Sequence, residues 1–299
     1  MSMNKYWLAC LFLAVTLMSC EKDDDGPETV PVRDRAEQEI ADQEALQEYL
    51  ETHFYNYEEF ENPAASFDYK IEIDTIDAAN ADKIPLIQSN LLEEKTITRE
   101  GIDYTIYLLK VREGVSMQPK FSDSTFVSYN GELLDQTTFD SSGNPVWFDL
   151  TRTIIGFTQA LTEFKGASGF EVQPDNTIKW NNDFGIGAVF IPSGLGYFSN
   201  PTSTIPAYSP LVFTFNLMGV NEADHDSDGI PSWMEDINED TIVGNDDTDG
   251  DGSPNYLDTD DDGDFIPTRE EIEIDPETGE ITFTDTDNDG TPDYLDPDN

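Results

Sequence analysis

Residues 127–142 read V-S-Y-N-G-E-L-L-D-Q-T-T-F-D-S-S, and this stretch sets the expectation for the fold of the chain. Val127–Tyr129 is rich in β-forming side chains and predicts a strand, and Gly131 predicts a turn after it. A short second segment then leads to Phe139 and Asp140, an aromatic side chain beside a carboxylate. Residues 141–143, Ser-Ser-Gly, predict another turn.

The stretch closely resembles the V-x-Y-x-G-x-L-x-D-G-x-x-F-D-S-S signature of FKBP-type peptidyl-prolyl isomerases. Its one interior departure is Gln136, where that family usually has Gly. Four further blocks resemble the family in the family's own order: Trp147-Phe148-Asp149-Leu150, Thr153-Ile154-Ile155-Gly156-Phe157, Ile191 to Tyr197 and Ile205 to Phe213. Five ordered blocks favour a true resemblance over chance identities. The resemblance covers residues 95–220.

The resemblance implies an α+β fold, in which an FKBP-like antiparallel sheet wraps around a short helix. It also implies a pocket for a proline ring with these aromatic walls: Tyr129, Phe139, Phe148, Phe157 and Phe213. In such a pocket the backbone N–H of Ile154 would bind the substrate carbonyl. Asp140 would accept a hydrogen bond from Tyr129, and Tyr197 would close over the substrate.

Three departures from the family predict reduced turnover. Phe157 stands where the pocket floor is usually Trp, Val146 replaces a frequent aromatic wall residue, and Tyr208 replaces a frequent His. Without the resemblance, several of the aromatic residues would be read as ordinary core. Their placement in five family-like blocks favours the pocket.

The charge of the chain is concentrated at its C-terminal end. The chain has 299 residues, which predicts about two domains, and its formal net charge is −48. From residue 221 onward there are 29 Asp and Glu against the single Arg269. Such a segment repels itself unless cations neutralise it. The lack of a basic surface excludes nucleic acid as a partner.

The first residues predict membrane anchoring. Residues 1–19 have the charge and the short apolar run of a signal peptide, and they end beside Cys20 in a sequence that resembles a lipoprotein lipobox. Cys20 would then carry the lipid, which leaves no other cysteine in the mature chain. Residues 20–35 form an acidic tether. They begin with a charge run that is similar to the signal of Bacteroidota lipoproteins exported to the outer face of the outer membrane.

Residues 36–94 predict an N-terminal helix and an extension. Apolar residues at three- and four-residue spacing predict an amphipathic helix from Ala36 to Phe60, which would pack on the isomerase-like domain or on a partner protein. An alternating strand is predicted from Phe67 to Ile73. Residues 166–184 are extra length relative to a minimal FKBP domain, and they read as an inserted hairpin or loop.

Residues 221–299 predict a mostly irregular, calcium-stabilised repeat array. Four D-x-D-x-D-G motifs place alternate carboxylates toward one point, and a further carboxylate at the twelfth position would close each cage. The third motif has Arg269 at that position, and one degenerate loop lacks the Gly. The predicted ligands are Asp224, Asp226, Asp228 and Glu235; Asp236, Asn238 and Asp240; Asp247, Asp249, Asp251 and Asp258; Asp260 and Asp262; and Asp285, Asp287, Asp289 and Asp296. The linked loops resemble thrombospondin type 3 repeats rather than paired EF-hands.

Two functions from different classes follow from this sequence. The first is a lipid-anchored peptidyl-prolyl isomerase at the outer membrane, whose clients are proline-containing proteins. The second is a weakly active or inactive binding subunit of an outer-membrane assembly or secretion complex. A calcium sensor is a third reading, and the density of linked carboxylates favours a structural role for Ca²⁺ over it.

Overall fold

The computed structural model describes residues 32–298, which adopt the predicted α+β fold. The helices are α1 (Arg35–Thr52), α2 (Tyr57–Glu61) and α3 (Ile155–Leu161). The strands are β1 (His53–Tyr55), β2 (Ile73–Thr75), β3 (Leu92–Arg99), β4 (Ile102–Arg112), β5 (Ser124–Leu133), β6 (Thr138–Asp149), β7 (Phe170–Val172), β8 (Ile178–Trp180), β9 (Gly185–Ile191), β10 (Leu211–Asn221), β11 (Ile272–Ile274) and β12 (Ile281–Phe283).

A six-stranded antiparallel sheet with the order β3-β4-β9-β10-β5-β6 forms the centre of the fold. Successive side chains of a strand point to opposite faces, so each face collects alternate residues. Ile106 and Leu108 of β4 belong to the core that contains α3, whereas Tyr107 and Leu109 belong to the core that contains α1. The sheet is therefore covered by a helix on each face.

The N-terminal helix packs on the sheet. Packing on this domain was one of the two predicted alternatives, and packing on a partner protein was the other. Asp34 caps α1 by accepting hydrogen bonds from the backbone N–H groups of its first turn. Leu46, Tyr49 and Leu50 are buried, and the ring of Tyr49 lies 5.9 Å from that of Phe190 on β9. This apolar face is what holds the N-terminal extension to the sheet.

Two predictions for the extension were wrong in their boundaries. The helix ends at Thr52 rather than at Phe60, because the β-forming residues of β1 pair with β2, and a separate short α2 follows. The strand predicted from Phe67 to Ile73 is reduced to β2. Tyr69 has a φ of 59°, which interrupts any extended run through it.

The stretch 127–142 forms a longer hairpin than predicted. Gly131 lies inside β5 and residues 141–143 lie inside β6, so neither is a turn. The turn comes between them, at Gln136, whose φ of 65° is left-handed. That conformation is easiest for glycine, which accounts physically for the Gly of the family signature at this position.

The inserted segment and the C-terminal region add small elements to this sheet. β7 and β8 pair as a hairpin inside residues 166–184, which agrees with the predicted insertion. After β10 the chain is mostly irregular, with a run of 3-10 turns and one short hairpin, β11–β12. Ile230, Ile272 and Tyr294 form the small buried core of that region.

Direct contacts join the C-terminal region to the sheet domain, and the chain from Arg33 onward is one compact unit. The backbone N–H of Ala223 donates to Asp123 Oδ1 at 3.2 Å. Gln159 Nε2 on α3 donates to Thr241 Oγ1 at 2.9 Å. The C-terminal region therefore rests against the helix that underlies one face of the sheet.

Candidate functional site: an aromatic cavity and an acidic array

One cavity of about 710 Å³ opens between the end of the sheet and α3. All eight residues that the sequence predicted for the substrate pocket line it: Tyr129, Phe139, Asp140, Phe148, Ile154, Phe157, Tyr197 and Phe213. They come from separate strands, from the start of α3 and from the loop after β9. Their roles toward a substrate remain predictions, while their convergence is an observed feature of the fold.

Aromatic rings form the floor and walls of the cavity. Phe157 on α3 is buried, and the centroid of its ring lies 4.8 Å from that of Phe213 and 6.0 Å from that of Phe148. The rings of Phe139 and Phe213 meet edge to face at 5.4 Å. Edge-to-face pairs are a favourable arrangement for aromatic rings. The result is an apolar cleft of the size that suits a small cyclic side chain.

Two polar features stand at the edge of this cleft. Tyr129 Oη donates a hydrogen bond to Asp140 Oδ2 at 2.7 Å. Burial, reinforced by the hydrogen bond to Asp140, raises the pKa of the Tyr129 phenol, so this side chain keeps its proton. The backbone N–H of Ile154, just before α3, donates to no acceptor among residues 32–298. It is available to a carbonyl oxygen of a ligand.

The cavity also contains residues that the sequence did not single out. Trp147 on β6, Arg152 and Ile205 line it together with the predicted set. Trp147 and Ile205 lie within family-like blocks, but no role was assigned to them. Trp147 is 55% exposed, and its ring packs 5.1 Å from that of Phe126, which in turn contacts Trp180 of the inserted hairpin at 5.8 Å. The hairpin therefore supports one rim of the cavity.

The N-terminal helix reaches the loop that carries Tyr197. Asp42 on α1 is buried, and its Oδ2 accepts hydrogen bonds from the backbone N–H and the hydroxyl of Ser193, at 2.7 and 2.6 Å. Ser193 opens the 3-10 turn that precedes Tyr197. Asp42 thus acts as a positioning residue for the loop at the mouth of the cavity.

The acidic array contains five loops of one geometry. In each loop the N–H of the sixth residue donates to the carboxylate of the first, and the fourth and sixth residues both have positive φ. The sixth residues are Gly229, Thr241, Gly252, Phe265 and Gly290. The degenerate loop that begins at Asp236 therefore folds like the others although it lacks the Gly.

The fourth loop, which contains the third D-x-D-x-D-G motif, starts two residues later than that motif suggested. Phe265 N–H donates to Asp260 Oδ2, so Asp260 is its first residue, and Asp264 takes the fifth position. Asp258 remains the twelfth residue of the preceding loop. The twelfth position of the fourth loop is therefore Glu271, which is buried, and not Arg269. The exposed Phe265 is the sixth residue of this loop, a position where the motif has Gly. Because of this difference the motif indicated a start two residues too early.

The carboxylates of the array are grouped closely enough to bind cations. Within residues 32–298, the oxygens of four D-x-D-x-D triplets each lie within 4.8 Å of one another. A further group of three buried carboxylates, Asp228, Glu235 and Asp261, meets the same limit. Buried carboxylates without counter-charge are unfavourable, and clustered oxygens are the donors that hard cations such as Ca²⁺ prefer. The residues therefore fit the predicted calcium ions.

Burial and mutual repulsion raise the pKa of two buried carboxyl groups of the array, Glu235 and Asp261. Burial first, and then the neighbouring Asp226 and Asp228, raise the pKa of Glu235 to about 10. The same causes raise the pKa of Asp261 to about 8. A carboxyl group in this setting ionises at neutral pH only when a cation compensates it.

The predicted signal peptide and Cys20 lie outside the described residues. Between residues 32 and 298, no helix has the length and apolar character that a membrane span requires. Anchoring through Cys20 remains a prediction from the sequence.

Comparisons with known proteins define the class: the chain contains a domain that is similar to FKBP-type peptidyl-prolyl isomerases, followed by a region that matches another family. That second match is to a family described as BamM C-terminal, over residues 225–284. It lies within the acidic array.

The individual relatives are bacterial proteins. FKBP-type peptidyl-prolyl cis-trans isomerase FkpA of Aeromonas hydrophila is 29% identical over 169 residues, which cover 54% of this chain and 57% of FkpA. Outer membrane protein MIP of Legionella longbeachae is 30% identical over 129 residues, 41% of this chain and 46% of MIP. The solved structure of FkpA from Escherichia coli is 28% identical, with a TM-score of 0.34, covering 45% of this chain and 53% of that chain. This chain spans about half the length of the curated relatives it matches.

Proposed function

We propose that this protein is a membrane-anchored peptidyl-prolyl cis-trans isomerase that assists the folding of secreted or outer-membrane proteins. The observation that carries the proposal is the aromatic cavity with the unpaired N–H of Ile154 at its edge. The similarity to the FKBP-type isomerase FkpA supports the same reaction class.

The proposed mechanism is differential binding of a twisted amide. Rotation about an X-Pro bond breaks amide resonance and has a barrier of roughly 18–20 kcal/mol. The twisted carbonyl is less polar than the planar one, so an apolar cleft favours it over the solvated ground state. Each ~1.4 kcal/mol of this preference gives about tenfold in rate. The reaction requires no nucleophile and no general base.

The cavity residues have distinct tasks in this proposal. The proline ring lies against the aromatic floor and walls formed by Tyr129, Phe139, Phe148, Phe157 and Phe213. Ile154 N–H donates to the substrate carbonyl and fixes which amide is twisted. Asp140 orients the Tyr129 hydroxyl at the rim. Tyr197 closes over the bound segment from its loop.

We further propose that the acidic array binds several structural Ca²⁺ ions outside the cytoplasm. The five loops of one geometry and the close carboxylate triplets support this. Their linked, thrombospondin type 3-like order suits a stiff arm, since consecutive loops share or adjoin ligands. The lipobox-like sequence at Cys20 and the similarity to Outer membrane protein MIP support an outer-membrane location, and the acidic charge run after Cys20 supports its cell-surface face.

A second candidate function is that of a docking subunit in an outer-membrane assembly or secretion complex. The match of residues 225–284 to the BamM C-terminal family favours it, because that match lies outside the isomerase-like domain. Phe157 in place of the family's Trp also allows a pocket that binds proline without fast turnover. The two functions are compatible in one chain.

The refolding of a protein limited by X-Pro isomerisation separates the two candidates. We expect the whole chain with Ca²⁺ to accelerate the slow refolding phase, and Phe139→Ala to lose this effect. Phe265→Ala is the matched control, because it removes an exposed ring from the acidic array and leaves the cavity walls in place. Equal refolding rates with and without the folded wild-type chain would favour the docking subunit.

A further inference from the structure

Asp261 occupies a position in the array where no metal ligand is expected. It is the second residue of the fourth loop, whereas the D-x-D-x-D pattern draws ligands from the first, third and fifth residues. The second residues of the other loops are His225, Ile237, Thr248 and Thr286, none of them a carboxylate. An acidic group at this one position calls for a separate explanation.

The environment of Asp261 is buried and without hydrogen-bond partners. The residue is 1% exposed, and neither of its carboxylate oxygens has a partner among the described residues. Its backbone N–H, and not its side chain, stabilises the loop by donating a hydrogen bond to Thr268 Oγ1. The side chain therefore contributes nothing to the loop, and a buried carboxylate without partners is costly.

Two carboxylates from the first loop face it. Glu235, the twelfth residue of that loop, is 0% exposed, and both of its oxygens are likewise without partners within residues 32–298. Asp228 is 2% exposed and has one such oxygen, Oδ2. Oxygens of Asp228, Glu235 and Asp261 lie within 4.8 Å of one another. Three unsatisfied buried carboxylates thus converge from two loops that are separated by two others in the chain.

We propose that Asp228, Glu235 and Asp261 bind a divalent cation, Ca²⁺ by its donor set, which bridges the first and fourth loops. Ca²⁺ accepts six to eight oxygens at about 2.4 Å, so three carboxylates that offer up to two oxygens each form most of its shell. Asp228 and Glu235 also belong to the first loop's own set, so the bridging ion shares ligands with the ion of that loop. The shared ligands make the site part of a two-ion cluster.

The bridging ion determines how the array is folded. It ties together two loops that are separated by two others in the chain. Successive loops alone form a linear series, whereas a cross-link between the first and fourth loops folds the series back on itself. The inference rests on the proposal that the array binds Ca²⁺.

The test is the number of ions that the whole chain binds. Ca²⁺-stripped protein is titrated with Ca²⁺ by calorimetry and weighed by native mass spectrometry at saturation. Asp261→Asn preserves the size of the side chain, and we expect it to bind one ion fewer than wild type. Glu239→Gln is the control: it removes one negative charge from an exposed, non-ligand position of the second loop, and it should keep the full number. Unchanged stoichiometry and affinities in Asp261→Asn would overturn the proposal.

A second measurement needs no variant and covers the case in which Asp261→Asn does not fold. Crystals of the wild-type chain grown with Ca²⁺ should show an ion within about 2.4 Å of carboxylate oxygens of Asp261 and Glu235. Ions in the D-x-D-x-D loops with none at this point would refute the bridging site alone. The carboxyl groups would then be protonated and hydrogen-bonded to one another. Absence of ions from every loop would instead refute the calcium proposal itself.

Discussion

Gly131 shows how one residue of the signature serves the cavity. A methyl group on its Cα would lie 2.7 Å from ring carbons of Phe139 and 2.9 Å from a ring carbon of Phe213. The glycine is needed because two wall residues of the cavity occupy the space beside the strand. Sequence reasoning interpreted it as a turn, since local patterns cannot show which side chains cross a strand from elsewhere.

We expect Gly131→Ala to damage the cavity. Either Phe139 or the strand must move, and such overpacking costs about 1–3 kcal/mol of stability. Gly143→Ala provides a matched control, since a methyl group there meets nothing within 4 Å. The midpoint temperature of thermal unfolding and the isomerase activity should both fall in Gly131→Ala and stay near the wild-type values in Gly143→Ala. Equal midpoints and activities in the two variants would contradict the close packing of Phe139 and Phe213 against Gly131.

The site residues that sequence reasoning identified share one property: they lie within family-like blocks whose spacing is informative. Trp147 lies in such a block but was given no role, because only the structure shows its ring at the cavity rim. Asp42 is 151 residues from its partner Ser193, and no local pattern connects them. Asp261 lies between two of the alternating ligand positions, so the repeat pattern did not indicate it as a ligand.

Among the elements, the core strands were the most predictable and the N-terminal extension the least. The strand predicted at Val127–Tyr129 lies within β5, because a run of β-formers leaves few alternatives. The end of α1 was misplaced because residues of β1 continue the helical spacing of apolar side chains. Their pairing with β2 is a tertiary contact, and it overrides that local periodicity.

The attachment of α1 to the sheet should depend on pH through Glu39. Burial raises the pKa of this carboxyl group to about 7, although hydrogen bonds from Thr105 and Gln43 oppose the shift. Because the folded-state pKa is raised, the contribution of this group to stability is fully present below the ordinary pKa of 4.5. It is lost as the pH rises through 7. The wild-type chain should therefore lose stability between these pH values.

Glu39→Gln should remove this pH dependence, because the amide does not titrate. The free energy of unfolding is measured by calorimetry in saturating Ca²⁺ at pH 5 and pH 8. We expect it to rise in the variant relative to wild type by about 1–3 kcal/mol between the lower and the higher pH. The control is Glu37→Gln on the exposed side of the same helix. A constant gap across this range would contradict a buried, protonated Glu39.

At the scale of the whole molecule, the array and the isomerase-like domain form a single unit with a shared boundary. Gln159 lies on α3, whose Phe157 is the cavity floor, and it donates to Thr241 in the second loop. The sequence predicted both parts but not their contact. Composition changes abruptly at residue 221, and nothing in a local pattern indicates whether the two parts touch.

Removal of Ca²⁺ should destabilise the chain. Each ion that binds only the folded state contributes about 2.7 kcal/mol at a concentration 100 times its Kd, and chelation also restores carboxylate repulsion. The unfolding midpoint should fall in EDTA and recover with Ca²⁺. Mg²⁺ should restore less, because it demands a smaller octahedral shell. An identical midpoint in EDTA and in Ca²⁺ would show that the loops hold their geometry without ions.

The most direct test of the central claim is catalysed exchange between the cis and trans forms of a short X-Pro peptide, measured by NMR. The whole chain with Ca²⁺ is expected to speed this exchange, and Phe139→Ala, folded to the same extent, is expected not to. Acceleration that depends on the cavity would establish a prolyl isomerase. If the folded wild-type chain leaves the exchange rate unchanged, the cavity is at most a proline-binding surface and the account of catalysis given above is wrong.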